Sequence, residues 1–394
     1  MNIAFVFEAP IIPRRGGVQR VTDIISGEFV KRGHNVIFLT YGYKELISDD
    51  TISCPQYYIE LKGRSRIEIQ EDLKSQFEYK QIDILINQQV TRESYILNQI
   101  FKDFSKVISV WHTRPYPDDE IDRARISQLH PENLKHAIFL AVSWAFPKFY
   151  RAYFANVETR LFLLADNSSH KICLLSESYR HRVCRHVESI SQKKFSYISN
   201  PNTYTVVSDM SWTQKQNTVL WVGRINNVNK NTIDFIKFWE RFSKSRPNWN
   251  SIILGDGPDL EANKKYVQSH NIKNLVFAGS VKDIQDYYRM SKILVQTSWS
   301  EGWPMVINEA RSFGCVPVVY GTYEALDELI IDGKDGIVVN PSVSDLCETV
   351  FKLTENEIEL QQIANHGIGT MDRYDVKYIV DQWIELIDSI TDEK

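Results

Sequence analysis

Apolar residues along this chain fall into two alternating patterns. A short continuous run over 3–7 is followed by a loop holding Gly16 and Gly17. A stretch over about 18–31 then places Val21, Ile24, Ile25 and Phe29 at helical spacing, Gly33 stops it, and a second apolar run covers 35–40. Further short runs predict strands at 82–86, 107–111 and 171–175. The same opening recurs at 218–222, where a strand is followed by a loop with Arg224 and Lys230, a helix through Phe235 and Trp239, and a strand at 251–254. Runs at 275–277, 293–296 and 316–319 complete this second series. Strands alternating with helices predict parallel sheets flanked by helices, and the restart near 217 predicts two of them.

The break between the series lies over 200–216, which is polar, interrupted by Pro201 and without clear period. The expected organisation is a first domain over 1–205, a second over 206–375, and a C-terminal helix over 376–394. In that helix Val376, Ile379, Val380, Trp383, Ile387 and Ile390 share one face, which caps the second core or crosses back to the first domain.

A length of 394 residues suits two cores better than one, and 43% hydrophobic with 24% charged residues is an ordinary globular balance. The net charge of −4 gives no footprint for nucleic acid. It is unevenly spread: residues 1–205 carry 27 Lys and Arg against 23 Asp and Glu, and the remainder 19 against 27. That asymmetry is either incidental or a sign that the first half meets an anionic headgroup, diphosphate or membrane surface. Five cysteines form no C-x-x-C pair and no metal-ligand spacing, so buried thiols in a reducing compartment are expected. The first residues read as a strand, not a leader, and no run reaches the roughly 18 apolar residues of a membrane span. The expected location is cytoplasmic, at the inner face of the membrane where any membrane contact is made.

The stretch SWSEGWPMVINEARSFGCVP (298–317) carries the most chemistry. A strand ends in a loop holding Glu301, Gly302, Trp303 and Pro304, and a helix then begins with Pro304 in its first turn. Such a helix offers free backbone N–H groups at the carboxyl end of a parallel sheet, where anions bind. Glu309 lies about one and a half turns in, within reach of a ribose whose phosphates sit at the helix start. Glu301, before the helix, can reach the other end of the same ligand. An ionised carboxylate suits both places because it accepts hydrogen bonds from paired hydroxyls.

Glu301 and Glu309 form an E-x7-E pair, followed by Ala310, Gly314, Pro317 and Val318. With VGRINNVNKN (222–231), ILGDGPDLE (253–261) and LVFAGSVKDIQDYYRMSKILVQTS (275–298), this ordered set resembles the retaining glycosyltransferases of family 4, glycosyl transferases group 1. The resemblance covers nearly all of 218–350. It implies the GT-B fold, with two Rossmann-like, doubly wound parallel-sheet domains facing each other across a cleft. It also implies transfer of a sugar from a UDP- or GDP-sugar with retention of configuration.

In the resembling family the residues matching Arg224 and Lys230 hold the donor pyrophosphate. Fixed cations there stabilise the charge of a departing nucleoside diphosphate without reorganisation, in the place of a divalent ion. No Asp-x-Asp motif occurs, so no metal and no cofactor beyond the nucleotide-sugar co-substrate are expected. Asn231 stands after the lysine where the family commonly has glycine, a departure in the loop. The resemblance further implies that Glu309 holds the ribose, that Gly302–Met305 backbone meets phosphates or hexose, and that Glu301 takes a sugar hydroxyl. It places Gly279 and Val281 against the base through backbone atoms. Gly16 and Gly17 are either an ordinary turn or a close backbone approach to donor phosphate or acceptor. His112, at the carboxyl end of a strand, is either a structural hydrogen-bonder or, as the resemblance implies, a lining residue near the transferred sugar.

Two features bear on the acceptor. LKHAIFLAVSWAFPKFYRAYF (134–154) mixes aromatic and basic residues without an acid, and reads as a buried helix or as a surface leaning on a membrane interface. SNPNTY (199–204) lacks the Asn-Gly-hydrophobic-Asp turn usual in the family. The run 118–122 reads as a solvated acidic loop. The function expected is hexose-type transfer to a glycan or lipid-linked acceptor in cell-surface polysaccharide or lipopolysaccharide synthesis. The alternatives are an epimerase or sugar-phosphate synthase on the same fold, or a silent nucleotide-sugar or glycan binder.

Overall fold

A computed structural model describes residues 1–42, 52–206, 212–281 and 283–392. The chain divides into two compact units: Met1–Asp119, Arg151–Thr203 and Tyr374–Lys394 form one, Glu120–Tyr150 and Tyr204–Arg373 the other. An unbroken first domain over 1–205 is therefore not what is found, because 120–150 group with the second unit. The last helix falls in the first unit.

The first unit holds strands β1 (Asn2–Phe7), β2 (Asn35–Thr40), β3 (Gln56–Tyr58), β4 (Ile84–Asn87), β5 (Lys106–Trp111), β6 (Lys171–Leu174) and β7 (Phe195–Tyr197). Among the described residues they form one parallel sheet in the order β3-β2-β1-β4-β5-β6-β7. The chain starts mid-sheet, steps outward to β3, then returns past β1 to β4. Ile3–Val6 are buried because helices cover both faces, which is why this strand reads as a continuous apolar run without alternation.

The second unit repeats the plan. Its strands are β8 (Gln216–Val222), β9 (Asn250–Leu254), β10 (Leu275–Gly279), β11 (Ser291–Gln296), β12 (Val316–Tyr320) and β13 (Ile337–Val339). They lie parallel in the order β10-β9-β8-β11-β12-β13. Every residue of β11 and β12 is buried. The helix Thr232–Ser245 packs Phe235, Phe238, Trp239 and Phe242 into the core beside Trp221 and Trp249. Each such side chain contributes about 1.5–3 kcal/mol on burial. Trp239 meets the polar demand of its ring by donating Nε1–H to the Lys273 carbonyl at 2.9 Å.

In both units strand order reverses beside the opening strand, between β1 and β4 and between β8 and β11. The carboxyl ends of parallel strands diverge there, and crevices at such points receive ligands in open α/β sheets.

The helix Val376–Thr391 buries Ile379, Val380, Trp383, Ile387 and Ile390 and packs against the helix Gly17–Lys31. Arg32 ties the pair: its Nη1 lies 2.5 Å from the Asp381 carboxylate and its Nη2 donates to the Lys377 carbonyl at 2.8 Å.

Three local expectations change. The stretch 134–154 is not a buried helix: the helix Leu134–Ala145 and the helix Pro147–Ser168 follow one another, and large apolar side chains along them stand in solvent. The run 118–122 is not simply solvated. Asp119 pairs with the buried Arg182 at 3.2 Å, and Asp122 caps the turn Arg123–Ile126 by accepting from the Arg125 N–H. Of the linker over 200–216, residues 207–211 lie outside the described residues, and Trp212–Gln214 form a single 3₁₀ turn. Val281 is described, but Lys282 beside it is not. No helix among the described residues is long and apolar enough to cross a membrane.

Candidate active site

In the second unit the crevice at β8 and β11 is built from two loops. After β8 the chain runs Gly223 to Asn231. This loop is pressed from one side by the loop after β9: Gly255 sits at φ +133, and a Cβ there would lie 1.9 Å from the Gly223 carbonyl oxygen. Glycine at 255 is thus a requirement of close approach between two backbones. Ile225 N–H donates to the Asp256 carbonyl at 2.8 Å, which stitches the loops together.

From the other side the loop after β11 holds the end of this segment. Trp299 N–H donates to the Asn229 carbonyl at 2.8 Å, and the Thr297 hydroxyl to the Asn231 carbonyl at 2.8 Å. Asn231 itself is left-handed, with φ +50 and ψ 45. Glycine reaches that conformation without strain and asparagine is the residue that tolerates it best, so the departure at 231 preserves the backbone path.

The result is that Lys230 Nζ donates to Glu301 Oε1 at 2.5 Å. Gln296, at the end of β11, donates its amide to the same oxygen at 3.3 Å and accepts the Tyr323 hydroxyl at 2.6 Å. Glu301 is held from two directions, with a largely buried carboxylate beside a more open ammonium. Arg224 lies exposed in the same loop and, among the described residues, has no hydrogen-bond or ion-pair partner.

Gly302, Trp303 and Pro304 are buried, Pro304 is the N-cap, and the helix Met305–Ser312 follows with Met305 half-buried. The proline precedes the first turn and does not form part of it. Glu309 is buried within this helix, and its Oε2 accepts the Tyr288 hydroxyl at 2.8 Å. Burial first, and the neighbouring carboxylate second, push the Tyr288 phenol well above its ordinary range, so it stays a donor. Behind the helix, the buried Arg311 pairs with the buried Asp335 at 2.9 Å and donates to the Leu329 carbonyl at 2.8 Å. Gly279 ends β10 at φ +69 and its carbonyl accepts the Gly255 N–H at 2.8 Å; Val281 packs with Ile284 and Tyr287 around the same small core as Tyr288. Tyr288, Gln296, Arg311 and Asp335 were not singled out from sequence. Their partners are 5 to 27 residues away and no spacing rule links them.

The first unit carries its own site at β1, β4 and β5. The helix Gly17–Lys31 starts at Gly17, with Gly16 as an extended N-cap at φ 178. A Cβ at Gly16 would meet nothing within 4 Å, so nothing in the fold itself calls for glycine there. His112 follows β5 directly. Its Nε2–H donates to the Gln88 side-chain carbonyl, and its Nδ1 is buried without a partner. The residue keeps some surface, but desolvation of the ring lowers its pKa to about 4, leaving a neutral imidazole with an open acceptor nitrogen. The ring faces a cavity of about 420 Å³ lined by Phe7, Gln88, Trp111, Val157 and Leu161 among others. Trp111 stacks on Phe162 at 3.7 Å and donates Nε1–H to Glu158 at 3.1 Å, which also accepts the Tyr116 N–H at 2.6 Å.

Two parallel sheets, each reversing beside its first strand, have the architecture of the GT-B class of α/β fold. Residues 208–369 match the family described as Glycosyl transferases group 1, in agreement with the motifs of 218–350. The chain is 27% identical over 198 residues to the Campylobacter jejuni enzyme GalNAc-alpha-(1->4)-GalNAc-alpha-(1->3)-diNAcBac-PP-undecaprenol alpha-1,4-N-acetyl-D-galactosaminyltransferase, covering 50% of this chain and 55% of that one. It is 29% identical over 184 residues to the amylovoran biosynthesis glycosyltransferase AmsD of Erwinia amylovora, covering 45% and 50%. The chain thus spans about half the length of the curated relatives it matches. Among solved structures, the Anabaena protein HepE in complex with UDP and glucose superposes with a TM-score of 0.73 at 14% identity, covering 99% of this chain and 100% of that one. At that identity the likeness is one of fold.

Proposed function

We propose that this chain is a retaining, metal-independent glycosyltransferase. It moves a hexose-type sugar from a UDP- or GDP-sugar to a glycan or lipid-linked acceptor in cell-surface polysaccharide or lipopolysaccharide synthesis, at the inner face of the membrane. The observation that carries this reading is the Lys230–Glu301 pair at the carboxyl ends of β8 and β11, one loop before the buried Glu309. A cation, a carboxylate before the helix and a carboxylate within it match the three parts of a nucleotide sugar: diphosphate, hexose and ribose. The names of the Campylobacter and Erwinia relatives support glycosyl transfer, and the UDP bound to HepE supports a nucleotide-sugar donor.

In this reading Lys230 and Arg224 hold the diphosphate, with the backbone of 302–305 beside it. Glu309 receives the ribose hydroxyls, Glu301 a hexose hydroxyl, and Gly279 and Val281 flank the base. In the first unit Gly16 and Gly17 allow close approach of phosphate or acceptor, and the free Nδ1 of His112 accepts a sugar hydroxyl. The bond from anomeric carbon to phosphate oxygen breaks and the electron pair leaves with the diphosphate. The acceptor oxygen bonds to the same face of that carbon, and its proton passes to the departing phosphate oxygen. Fixed cations at the leaving group serve this step because they need not reorganise as charge develops.

Thermal-shift screening against UDP-, GDP- and ADP-sugars in EDTA tests the donor assignment, with Glu309→Ala as the control. Stabilisation by one donor that the variant loses is the expected result. Folded protein unmoved by every nucleotide sugar overturns it.

A further inference from the structure

We propose that the solvent face of the helix Leu134–Ala145, with the turn that follows it, docks on the surface of an anionic lipid bilayer. A surface helix ordinarily turns its polar face to water. This one is inverted. Leu134, Ile138 and Val142 form one stripe at i, i+4 and i+8 and are 77%, 57% and 42% exposed, while the buried side carries Leu140 and Ser143. Trp144 on the flank is 51% exposed, and Phe146 and Phe149 in the turn are 66% and 47% exposed. The turn is built, not frayed: Phe139 packs on Phe149 at 5.8 Å and on Tyr150 at 5.9 Å, with Pro147 opening the next helix.

A contiguous set of large apolar side chains in water marks a surface made for a partner. The charge around it selects which. No carboxylate falls between Glu132 and Glu158, whereas exposed Lys135 and Lys148 border the patch. Arg123 adds a third cation, its guanidinium 5.6 Å over the Trp144 ring and donating to the Ala145 carbonyl at 3.1 Å. Aliphatic stripe, Trp and Phe at the margin, and cations outnumbering the bordering Asp122 and Glu132 are what an interfacial element needs: the apolar face enters the boundary region and the cations meet anionic headgroups. A second copy of this chain seated on the patch would bring the bordering cations against like charges, whereas an anionic lipid surface complements them.

This surface deepens the membrane-side part of the proposed function. It is tested without donor or acceptor, so its failure leaves the transferase reading standing. Full-length protein is sedimented with sucrose-loaded vesicles of phosphatidylcholine alone and with about a third phosphatidylglycerol. The expected result is binding to the anionic vesicles, weaker on neutral ones and weakened by 0.5 M salt. Ile138→Glu with Phe146→Glu, at exposed positions and with unchanged Tm, should lower the partition coefficient roughly tenfold or more. Lys135→Glu with Lys148→Glu should lower it roughly tenfold on anionic vesicles only. Wild-type protein left in the supernatant with both vesicle types overturns the proposal. So does binding untouched by either pair of substitutions, and so does a dimer that the apolar pair converts to monomer without any vesicle binding.

Discussion

Lys230 and Glu301, 71 residues apart in the chain, meet at 2.5 Å across the loops that follow β8 and β11. Each is the other's counter-ion, and each is assigned to a different part of the donor. In the proposed donor site a diphosphate would exchange one anionic partner of Lys230 for another, and the released carboxylate would become available to a hexose hydroxyl.

That coupling separates the two residues experimentally. Lys230→Ala should weaken both the free nucleoside diphosphate and its sugar conjugate, and lower kcat/KM by about 10²–10³. Glu301→Gln keeps an oxygen for Lys230 but loses the charge, so diphosphate binding should hold or tighten while the sugar conjugate loses its extra affinity. Titration calorimetry with the two ligands reads the difference. Equal losses for both ligands in Glu301→Gln would place that carboxylate in the diphosphate site.

In the proposed site Tyr288 acts on the donor only through Glu309. Its hydroxyl donates to the buried carboxylate at 2.8 Å, and its ring stacks on Phe313 with centroids 6.1 Å apart. Tyr288→Phe retains the ring and removes one charge-assisted bond, typically about 1.5–3 kcal/mol. Donor Kd should rise about tenfold, with KM moving and kcat holding. A purely structural role would lower Tm and leave the donor Kd of the folded fraction unchanged.

Asn231 offers a stability test of the loop. With φ at +50, a β-branched side chain is strained where glycine is not. Asn231→Gly should stay within about 1 kcal/mol of wild type, losing only the side-chain bond to Asp234 at 2.9 Å, while Asn231→Val should cost about 1–2 kcal/mol. Urea unfolding of the three proteins orders them. A valine variant as stable as the glycine one would show that the loop takes a different backbone path.

Most of the long strands and the recurrence of the fold were legible because buried parallel strands are continuous apolar runs, as in Ile3–Val6 and β11. The three-residue strands β3, β7 and β13 were not: edge pairings this short leave too few residues for a pattern. Grouping 120–150 with the second unit was also invisible: the acidic run 118–122 marks its start, but nothing in the sequence says which sheet the segment packs with. Glu301 and Glu309 could be found because they share one motif. What orients them could not: Tyr288 and Gln296 reach them through the tertiary arrangement of β11 and its flanking helices, and the buried Arg311–Asp335 pair braces the Glu309 helix from a loop beyond β12. The apolar helix Leu134–Ala145 gave the opposite lesson. Its composition left burial and an exposed membrane-facing surface both open, and only the fold shows that its apolar side faces out.

His112 makes a prediction about pH. Its pKa is lowered in the folded protein to about 4 from an ordinary 6.5, because burial penalises the imidazolium. The unfolded chain then binds the proton first as pH falls. Above about 6.5 the ring is neutral in both states and contributes no pH dependence; between 6.5 and 4 the unfolded state is progressively favoured; below 4 both states are protonated and the penalty is complete. Between pH 7 and pH 5 this amounts to about 2 kcal/mol of lost stability from the one ring. His34 and His170 are also lowered by burial and add to the slope, so the whole protein's pH dependence does not isolate His112. The difference between wild type and His112→Gln does. Urea unfolding at pH 7 and pH 5 should show the wild type losing about 2 kcal/mol more than the variant over that interval. Parallel losses would mean that His112 is protonated in the folded state at pH 5, and its Nδ1 would then be a donor to the sugar, not an acceptor from it.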